Sequence, residues 1–136
     1  MKRKKLFLGL LAISFLGCSA AKSPSENVAR QFVEAYYLKI DLNAAIKVCD
    51  GLALEKIRQE IQLREGQSIS PDTRQPKVSY KKVKELVEKE AGEALTEVYL
   101  FELTITPQDY ASLKRISRVK VRQIGEDWKV IQFSDV

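Results

Sequence analysis

The sequence predicts an α+β fold in which N-terminal helices pack on a four-stranded antiparallel sheet, with a signal peptide before the domain. An apolar run behind four basic residues opens the chain. Apolar residues then recur at three- and four-residue spacing as far as Glu65, and at two-residue spacing from Lys77 to Phe133. This change of period divides the folded part of the chain into a helical half and a strand half.

The first 17 residues have the pattern of a signal peptide. Four basic residues at positions 2 to 5 precede an uninterrupted apolar or small stretch from Leu6 to Leu16. As a helix this stretch would rise about 16 Å, roughly half of a hydrocarbon core of about 30 Å. We therefore expect an export signal and not a permanent transmembrane helix.

The end of this segment resembles the lipobox of bacterial lipoproteins. Residues 15 to 18 read Phe-Leu-Gly-Cys, and Phe15 stands where that family usually has leucine. The resemblance implies cleavage before Cys18 and attachment of lipid to its sulfur. The alternative is an ordinary secretory peptide that is cut after Ala20 or Ala21.

The lipobox resemblance divides the chain into a signal peptide at 1–17, a lipidated tether at 18–22 and one domain at 23–136. Ser19 is not the aspartate that retains enteric lipoproteins at the inner membrane, so we expect the outer membrane, facing the periplasm, if the host has two membranes. The signal peptide holds four of the 23 basic residues and none of the 18 acidic ones, which leaves 19 against 18. The basic pI of about 9.2 therefore does not indicate a nucleic-acid partner.

The helical half divides into three predicted helices. A Ser-Pro-x-Glu capping box begins the first helix at Ser23, and Asp41 caps the second. The third is expected from about Ala53 to Glu65, after Gly51 bends the chain. Their predicted apolar faces are Val28, Phe32, Tyr36 and Ile40; Leu42, Ala45, Ile46, Cys49 and Leu52; and Leu54, Ile57 and Ile61.

The strand half contains four predicted strands. The first runs from Lys77 to Glu90, where the apolar residues change parity as a β-bulge would produce, although the composition also suits a helix. A turn at 91–93 leads into the second strand, Ala94 to Thr106. Arg115 to Ile124 and Trp128 to Phe133 form a closing hairpin across residues 125–127.

The closing segment, Val-Arg-Gln-Ile-Gly-Glu-Asp-Trp-Lys-Val-Ile-Gln-Phe at residues 121 to 133, together with the order of elements, resembles the nuclear transport factor 2-like, cystatin-like superfamily. The resemblance implies a cone in which a strongly curved sheet wraps the first helix and encloses a pocket. The candidate pocket residues are Tyr36, Tyr99, Phe101 and Trp128. That superfamily includes isomerases, dehydratases, transport adaptors and subunits that only dimerise, so the fold alone implies no single activity.

The chain lacks the residues that most catalytic and metal sites need. It contains no histidine, which excludes Ser-His-Asp and Cys-His arrangements and most zinc sites. Once Cys18 carries lipid, Cys49 has no disulfide partner in its own chain, and its apolar surroundings indicate a small buried hydrophobe. The alternatives are a nucleophile or a disulfide between two chains. We expect no metal and no cofactor, and no enzyme; the alternative is an isomerase or dehydratase that pairs Asp41 with Tyr36 or Tyr99 in the cone pocket.

The sequence favours a binding or protein-interaction module. Arg118, Lys120 and Arg122 alternate with valines, so three cations project from one face of a strand and could meet an anionic partner. The alternative is an ordinary solvated face that Glu97 and Glu102 oppose. The partner could be an envelope protein or a small ligand, and a homodimer stays open because the second strand has apolar residues on both faces.

The lipid anchor can be tested by replacing its attachment site. We expect Cys18→Ser to remove the mass of the acyl chains and to release the protein from the membrane fraction, whereas Cys49→Ser should change neither. Mass spectrometry and membrane fractionation measure both outcomes. Unchanged mass and unchanged membrane retention in Cys18→Ser would contradict the lipoprotein prediction.

Overall fold

The computed structural model describes residues 22–65, 76–88 and 95–136. The signal peptide, Cys18 and the turn at 91–93 lie outside these residues. Three helices come first, α1 (Pro24–Val33, continuing as a π-helical turn over Glu34–Leu38), α2 (Leu42–Ile46) and α3 (Gly51–Arg64). Four strands follow, β1 (Lys77–Glu88), β2 (Thr96–Thr106), β3 (Leu113–Ile124) and β4 (Asp127–Asp135).

The four strands form one antiparallel sheet in the order β1-β2-β3-β4, so that each strand pairs with its neighbour in sequence. The predicted α+β fold, with helices packed on a four-stranded antiparallel sheet, is confirmed. The predicted bulge in β1 is confirmed as well, because the pairing with β2 shifts by one residue between Lys82 and Lys84. A second register shift, in the pairing of β3 with β4, lies between Lys120 and Val121.

Helix α1 begins where the capping pattern predicts. The side chain of Ser23 accepts a hydrogen bond from the backbone N–H of Glu26, and Pro24 occupies the first turn, where its missing N–H costs nothing. The helix buries Ala29, Phe32 and Val33 completely. It is the element that lies closest to the centre of the core.

The predicted apolar face of the first helix is wrong at its last residue. The backbone widens into a π-helical turn after Val33, and Ile40 then adopts a left-handed conformation with φ 52°. This reversal lets the backbone N–H of Asp41 donate to the carbonyl of Ala35. Ile40 is therefore 38% exposed and does not pack on the sheet.

The second helix is shorter than predicted, because only Leu42–Ile46 is helical. Asp41 caps it as expected, accepting from the N–H of Ala44 at 3.0 Å. Cys49 lies beyond the helix and forms a parallel bridge with Val130 at the edge of β4. The predicted helical stripe through Cys49 and Leu52 is wrong, and Leu52 is 65% exposed, although Cys49 is buried as expected.

Apolar side chains at every second position of β2 and β3 form the sheet side of the core. Tyr99, Phe101 and Leu103 in β2, with Val119 and Val121 in β3, are at most 1% exposed and face the helices. From α1, the ring of Phe32 packs against that of Phe133 in β4 at 4.7 Å between centroids.

Removing the Phe32 ring should leave a large cavity between α1 and the sheet. We expect Phe32→Ala to lower the free energy of unfolding by about 3–5 kcal/mol, the usual cost of deleting a buried aromatic side chain. Leu63→Ala is the control, because Leu63 is 74% exposed and its replacement should change stability by less than about 0.5 kcal/mol. Urea denaturation of both variants measures the difference, and equal effects would contradict this description of the core.

Candidate functional site

The face of the sheet that points away from the helices is cationic. Residues paired directly across an antiparallel ladder share a face, so the register assigns every second residue of each strand to it. We call this surface the outer face. Among the residues that the structure describes, eight cationic ones occupy this face: Lys77, Lys81, Lys84, Lys114, Arg118, Lys120, Arg122 and Lys129.

Acidic residues are fewer at these positions. Glu88, Glu102 and Asp127 occupy outer-face register positions. Glu102 forms ion pairs with Lys81 at 3.4 Å and with Lys114 at 3.5 Å. The single carboxylate of Glu102 therefore pairs with two lysines. Cationic residues outnumber acidic ones among the described residues of this face.

The three cations predicted from the sequence all belong to this surface. Arg118, Lys120 and Arg122 pair across β2 with Leu100, Val98 and Thr96 in turn. The expectation that Glu97 opposes the row is wrong, because Glu97 pairs with Val121 on the helix-facing side. The register thus removes one of the two acidic residues that were expected to neutralise this row.

The second apolar side of β2 is already covered in the single chain. Val98 belongs to the outer face, between Leu86 and Lys120 in the ladder, yet it is fully buried. Long cationic side chains lay their aliphatic stems along apolar surface while their charged ends remain in water. Val98 is buried within the single chain, so its burial does not require a second copy.

A groove lies beside the outer face, at the edge formed by β4. It has a volume of about 410 Å³, and Lys120 and Arg122 line one side of it. The start of α3, with Asp50 and Leu52, lines the other. The remaining lining residues are Gly51, Ile124, Ile131 and Gln132. The sequence did not reveal this groove because its two sides are about 70 residues apart in the chain.

A hydrogen-bonded cluster lies on the opposite, helix-facing side, where α1 begins. The hydroxyl of Tyr99 lies 2.5 Å from the carboxylate of Glu97, 2.6 Å from the hydroxyl of Ser25 and 3.3 Å from that of Ser23. The hydroxyl of Ser25 also donates to Glu97. Burial and the hydrogen bond to Glu97 raise the pKa of Tyr99 to about 12, so it stays a protonated donor.

Ion pairs extend this cluster toward β1. The carboxylate of Glu26 receives Lys82 at 2.9 Å and Arg30 at 3.0 Å. Burial alone would raise the pKa of Glu26, but the hydrogen bonds from Lys82 and Arg30 outweigh it and lower the pKa below its usual value. Among the described residues, no buried side-chain nitrogen or oxygen lacks a hydrogen-bond partner. The cluster therefore fixes α1 to β1 and β2.

The four candidate pocket residues belong to different surroundings. Tyr99 and Phe101 are neighbours, with ring centroids 6.3 Å apart. Tyr36 instead stacks on Phe32 at 5.4 Å, and its hydroxyl donates to Glu60 at 2.5 Å. Trp128 is half-buried at the margin of the core. The structure thus brings together only the Tyr99–Phe101 pair.

Two other features bear on the chemistry of the domain. Within residues 22–65, 76–88 and 95–136, no group of three or more His, Cys, Asp or Glu side chains could hold a metal ion. In the same part of the chain, no helix is long and apolar enough to cross a membrane. Burial raises the pKa of the Cys49 thiol to about 12, which keeps it protonated and unreactive near neutral pH.

Comparison with solved structures supports the fold. The chain is similar to the beta subunit of the benzoate 1,2-dioxygenase from Burkholderia mallei, with a TM-score of 0.54, 12% identity, and coverage of 82% of this chain and 86% of that chain. It is also similar to the CamKII hub homology domain of Chlamydamonas reinhardtii, with a TM-score of 0.52, 11% identity, and coverage of 84% and 96%.

A weaker likeness, with a TM-score of 0.48 and 10% identity, is to an NTF-2 like protein of unknown function from Shewanella oneidensis MR-1, covering 81% of this chain and 93% of that one. No family model and no curated protein matches the sequence. The two likenesses with a TM-score above 0.5 support the α+β fold of helices on an antiparallel sheet, and identities this low show the fold alone.

The Tyr99 cluster predicts a loss of stability in alkaline solution. Because the pKa of Tyr99 is higher in the folded than in the unfolded state, its protonated hydroxyl adds to the free energy of unfolding. This contribution is complete below the unfolded pKa of about 10 and is lost as the pH rises through the folded pKa of about 12. We expect Tyr99→Phe to lower the free energy of unfolding by about 1.5–3 kcal/mol at pH 7, the range for a hydrogen bond to a charged group, and to reduce the further loss between pH 10 and 12.

Tyr110→Phe is the matched control, because Tyr110 is 80% exposed. Denaturation in urea at pH 7, 9, 10 and 11.5 measures both variants beside the unmodified protein. If the two variants gave the same free energies across this range, the cluster would not stabilise the fold.

Proposed function

We propose that this chain is a lipid-anchored protein of the bacterial cell envelope whose folded domain is a binding module, with the outer face as its binding surface for an anionic partner. The observation that carries the proposal is the segregation of charge. Eight cationic residues share the outer face with three acidic ones, whereas the sequence from Cys18 onward has 19 basic and 18 acidic residues in total.

The charge asymmetry supports an electrostatic role for this face. A surface lined by one sign of charge attracts oppositely charged partners and raises the rate of their encounter. Ion pairs within the face, such as those of Glu102, reduce the net charge without reversing it. The rest of the described domain has more acidic than basic residues. This difference in charge between the two parts turns the outer face toward an anionic partner.

The groove at the edge of β4 adds apolar contact to this charge. Lys120 and Arg122 stand beside Leu52, Ile124 and Ile131 in its lining. A partner that carries both negative charge and apolar groups would find both complements there. Asp50 on the far side disfavours a ligand that is anionic along its whole length.

Catalysis is the less favoured alternative. An isomerase or dehydratase needs a base and a hydrogen-bond donor that reach the substrate. The side chain of Asp41 caps α2, while the hydroxyls of Tyr36 and Tyr99 bond to Glu60 and Glu97. These groups are committed to holding the fold, and Tyr99 is fully buried.

A homodimer formed through the outer face is also less favoured. A two-fold interface would place the same cationic surface against itself, and like charges that face each other across an interface are costly. We therefore propose that the partner is a different molecule. A homodimer through another surface stays a prediction.

The test is crosslinking in the intact cell envelope. A photoreactive amino acid replaces Gln132, which is exposed on the outer face, and in a second strain replaces Gln59, which is exposed on α3. We expect crosslinked products of the lipidated protein from position 132 that exceed those from position 59 severalfold. Reversing three cations with Arg118→Glu, Lys120→Glu and Arg122→Glu should remove most of them.

The matched control reverses three exposed cations of the helical half with Lys39→Glu, Lys47→Glu and Arg58→Glu. This variant has the same net charge as the outer-face variant and should keep its crosslinked products. Equal yields from positions 132 and 59, or equal losses in both charge variants, would contradict a binding role for the outer face.

A further inference from the structure

We infer that the anionic partner of the outer face is the surface of the anchoring membrane itself, so that the sheet lies on phospholipid headgroups with the helices toward the aqueous side. This inference rests on the proposed function and names the partner of the same surface. It follows from the length of the tether, the end of the sheet at which the tether arrives, and the chemistry of the face.

The tether is short. Ser23 is the fifth residue after Cys18, and a fully extended chain of five residues spans at most about 18 Å. The hydroxyl of Ser23 is 3.3 Å from that of Tyr99, so the tether leaves the domain one side-chain length above the sheet. The lipid on Cys18 therefore keeps Ser23, and with it the part of β2 around Tyr99, within about 20 Å of the bilayer surface.

The tether arrives at a defined end of the sheet. Tyr99 is the fourth residue of β2, and it pairs with Glu85 near the end of β1. At this end the outer-face positions hold Arg122 and Lys129, which are paired with each other, and the acidic Glu88 and Asp127. The ammonium of Lys129 donates to the backbone carbonyl of Lys47 at 2.9 Å. Packed layers of a domain are separated by about 10 Å, which is less than the reach of the tether. The outer face can thus meet the membrane while the tether passes around the end of the sheet.

The composition of the face at this end suits a headgroup layer. Leu86 is 40% exposed and Ile124 is 42% exposed, and both occupy outer-face positions. Leu86 lies between Lys84 and Glu88 along β1, and Ile124 lies beside Arg122 and pairs with Asp127. Basic residues near a membrane are attracted by its anionic lipids, and apolar side chains among them enter the boundary between headgroups and acyl chains. An acidic protein with apolar side chains would complement the charge and the apolar groups, whereas the membrane also accounts for the short tether that brings the face to it.

Docking of this kind sets orientation, because the lipid already supplies attachment. The groove that Lys120, Arg122 and Leu52 line would then open at the membrane surface. The first helix, which the cluster around Tyr99 fixes to the sheet, would face away from the bilayer. The domain would present its helical half, which has as many basic as acidic residues, to the aqueous compartment.

The experiment measures orientation on vesicles with the full lipidated chain. In a Cys49→Ala background, Gln132→Cys on the outer face and Gln59→Cys on α3 each carry a fluorophore, and the vesicles contain a headgroup-attached quencher. Vesicles of phosphatidylcholine are compared with vesicles of phosphatidylcholine and phosphatidylglycerol in equal parts. We expect severalfold stronger quenching at position 132 than at 59 in the anionic vesicles, and loss of that difference in phosphatidylcholine.

Salt and charge reversal complete the test. In 1 M salt the Debye length falls to about 3 Å, and the difference between the two positions should disappear while the protein stays attached. Two separate charge-reversal variants are used, so that the test does not depend on one variant that fails to fold. One changes Arg118, Lys120 and Arg122 to glutamate, and the other changes Lys77, Lys84 and Lys114 to glutamate. Both should lose the difference, whereas Lys39→Glu with Lys47→Glu and Arg58→Glu should keep it.

The outcomes separate this inference from the proposed function. Equal quenching at positions 132 and 59 in anionic vesicles would overturn membrane docking. If position 132 still gave protein adducts in the envelope, the outer face would bind an acidic protein and only the membrane inference would fall. If neither assay distinguished the two positions, both would fall.

Discussion

The two-residue period of β2 and β3 is the constraint on which the other features of the domain depend. It directs Tyr99 and Phe101 toward Phe32, and the same alternation sends Arg118, Lys120 and Arg122 to the opposite face. A shift of the strand register by one residue would place those cations against α1 and expose the core side chains. Burial of the apolar face therefore also determines that the cations lie on the opposite face. The cationic outer face is thus a direct consequence of the register that builds the core.

A second dependence links the start of the domain to the sheet. Ser23 both caps α1 and contacts the hydroxyl of Tyr99, while Ser25 and Glu97 complete the hydrogen bonding. Helix α1 cannot rotate on the sheet without breaking this cluster, in which Ser25 and Tyr99 are buried and hydrogen-bonded. The short tether therefore attaches to a rigid point, and the orientation of the lipid relative to the sheet is restricted.

The sequence could predict the elements whose signals are local. Ser23 and Asp41 cap helices as their patterns indicate, and the change of parity in β1 predicted its bulge. It could not predict features that depend on distant segments. The left-handed turn at Ile40 follows from a π-helical turn with no clear composition signal, and the position of Cys49 depends on pairing with β4. For the candidate site, the cationic row was visible, but its extension to β1 and β4 and the groove beside it required the register.

In this domain, the helix-facing side of the sheet forms the core, and the outer face is the surface proposed to bind a partner. The most direct test compares lysine acylation in the intact envelope with acylation of the same protein after release in detergent. Coverage of the outer face predicts that Lys84, Lys114 and Lys120 react more slowly in the envelope, while Lys39, Lys47 and Lys56 on the helical side react at the same rate in both. Equal rates for both groups of lysines in the two preparations would contradict the assignment of the outer face as the surface through which this protein acts.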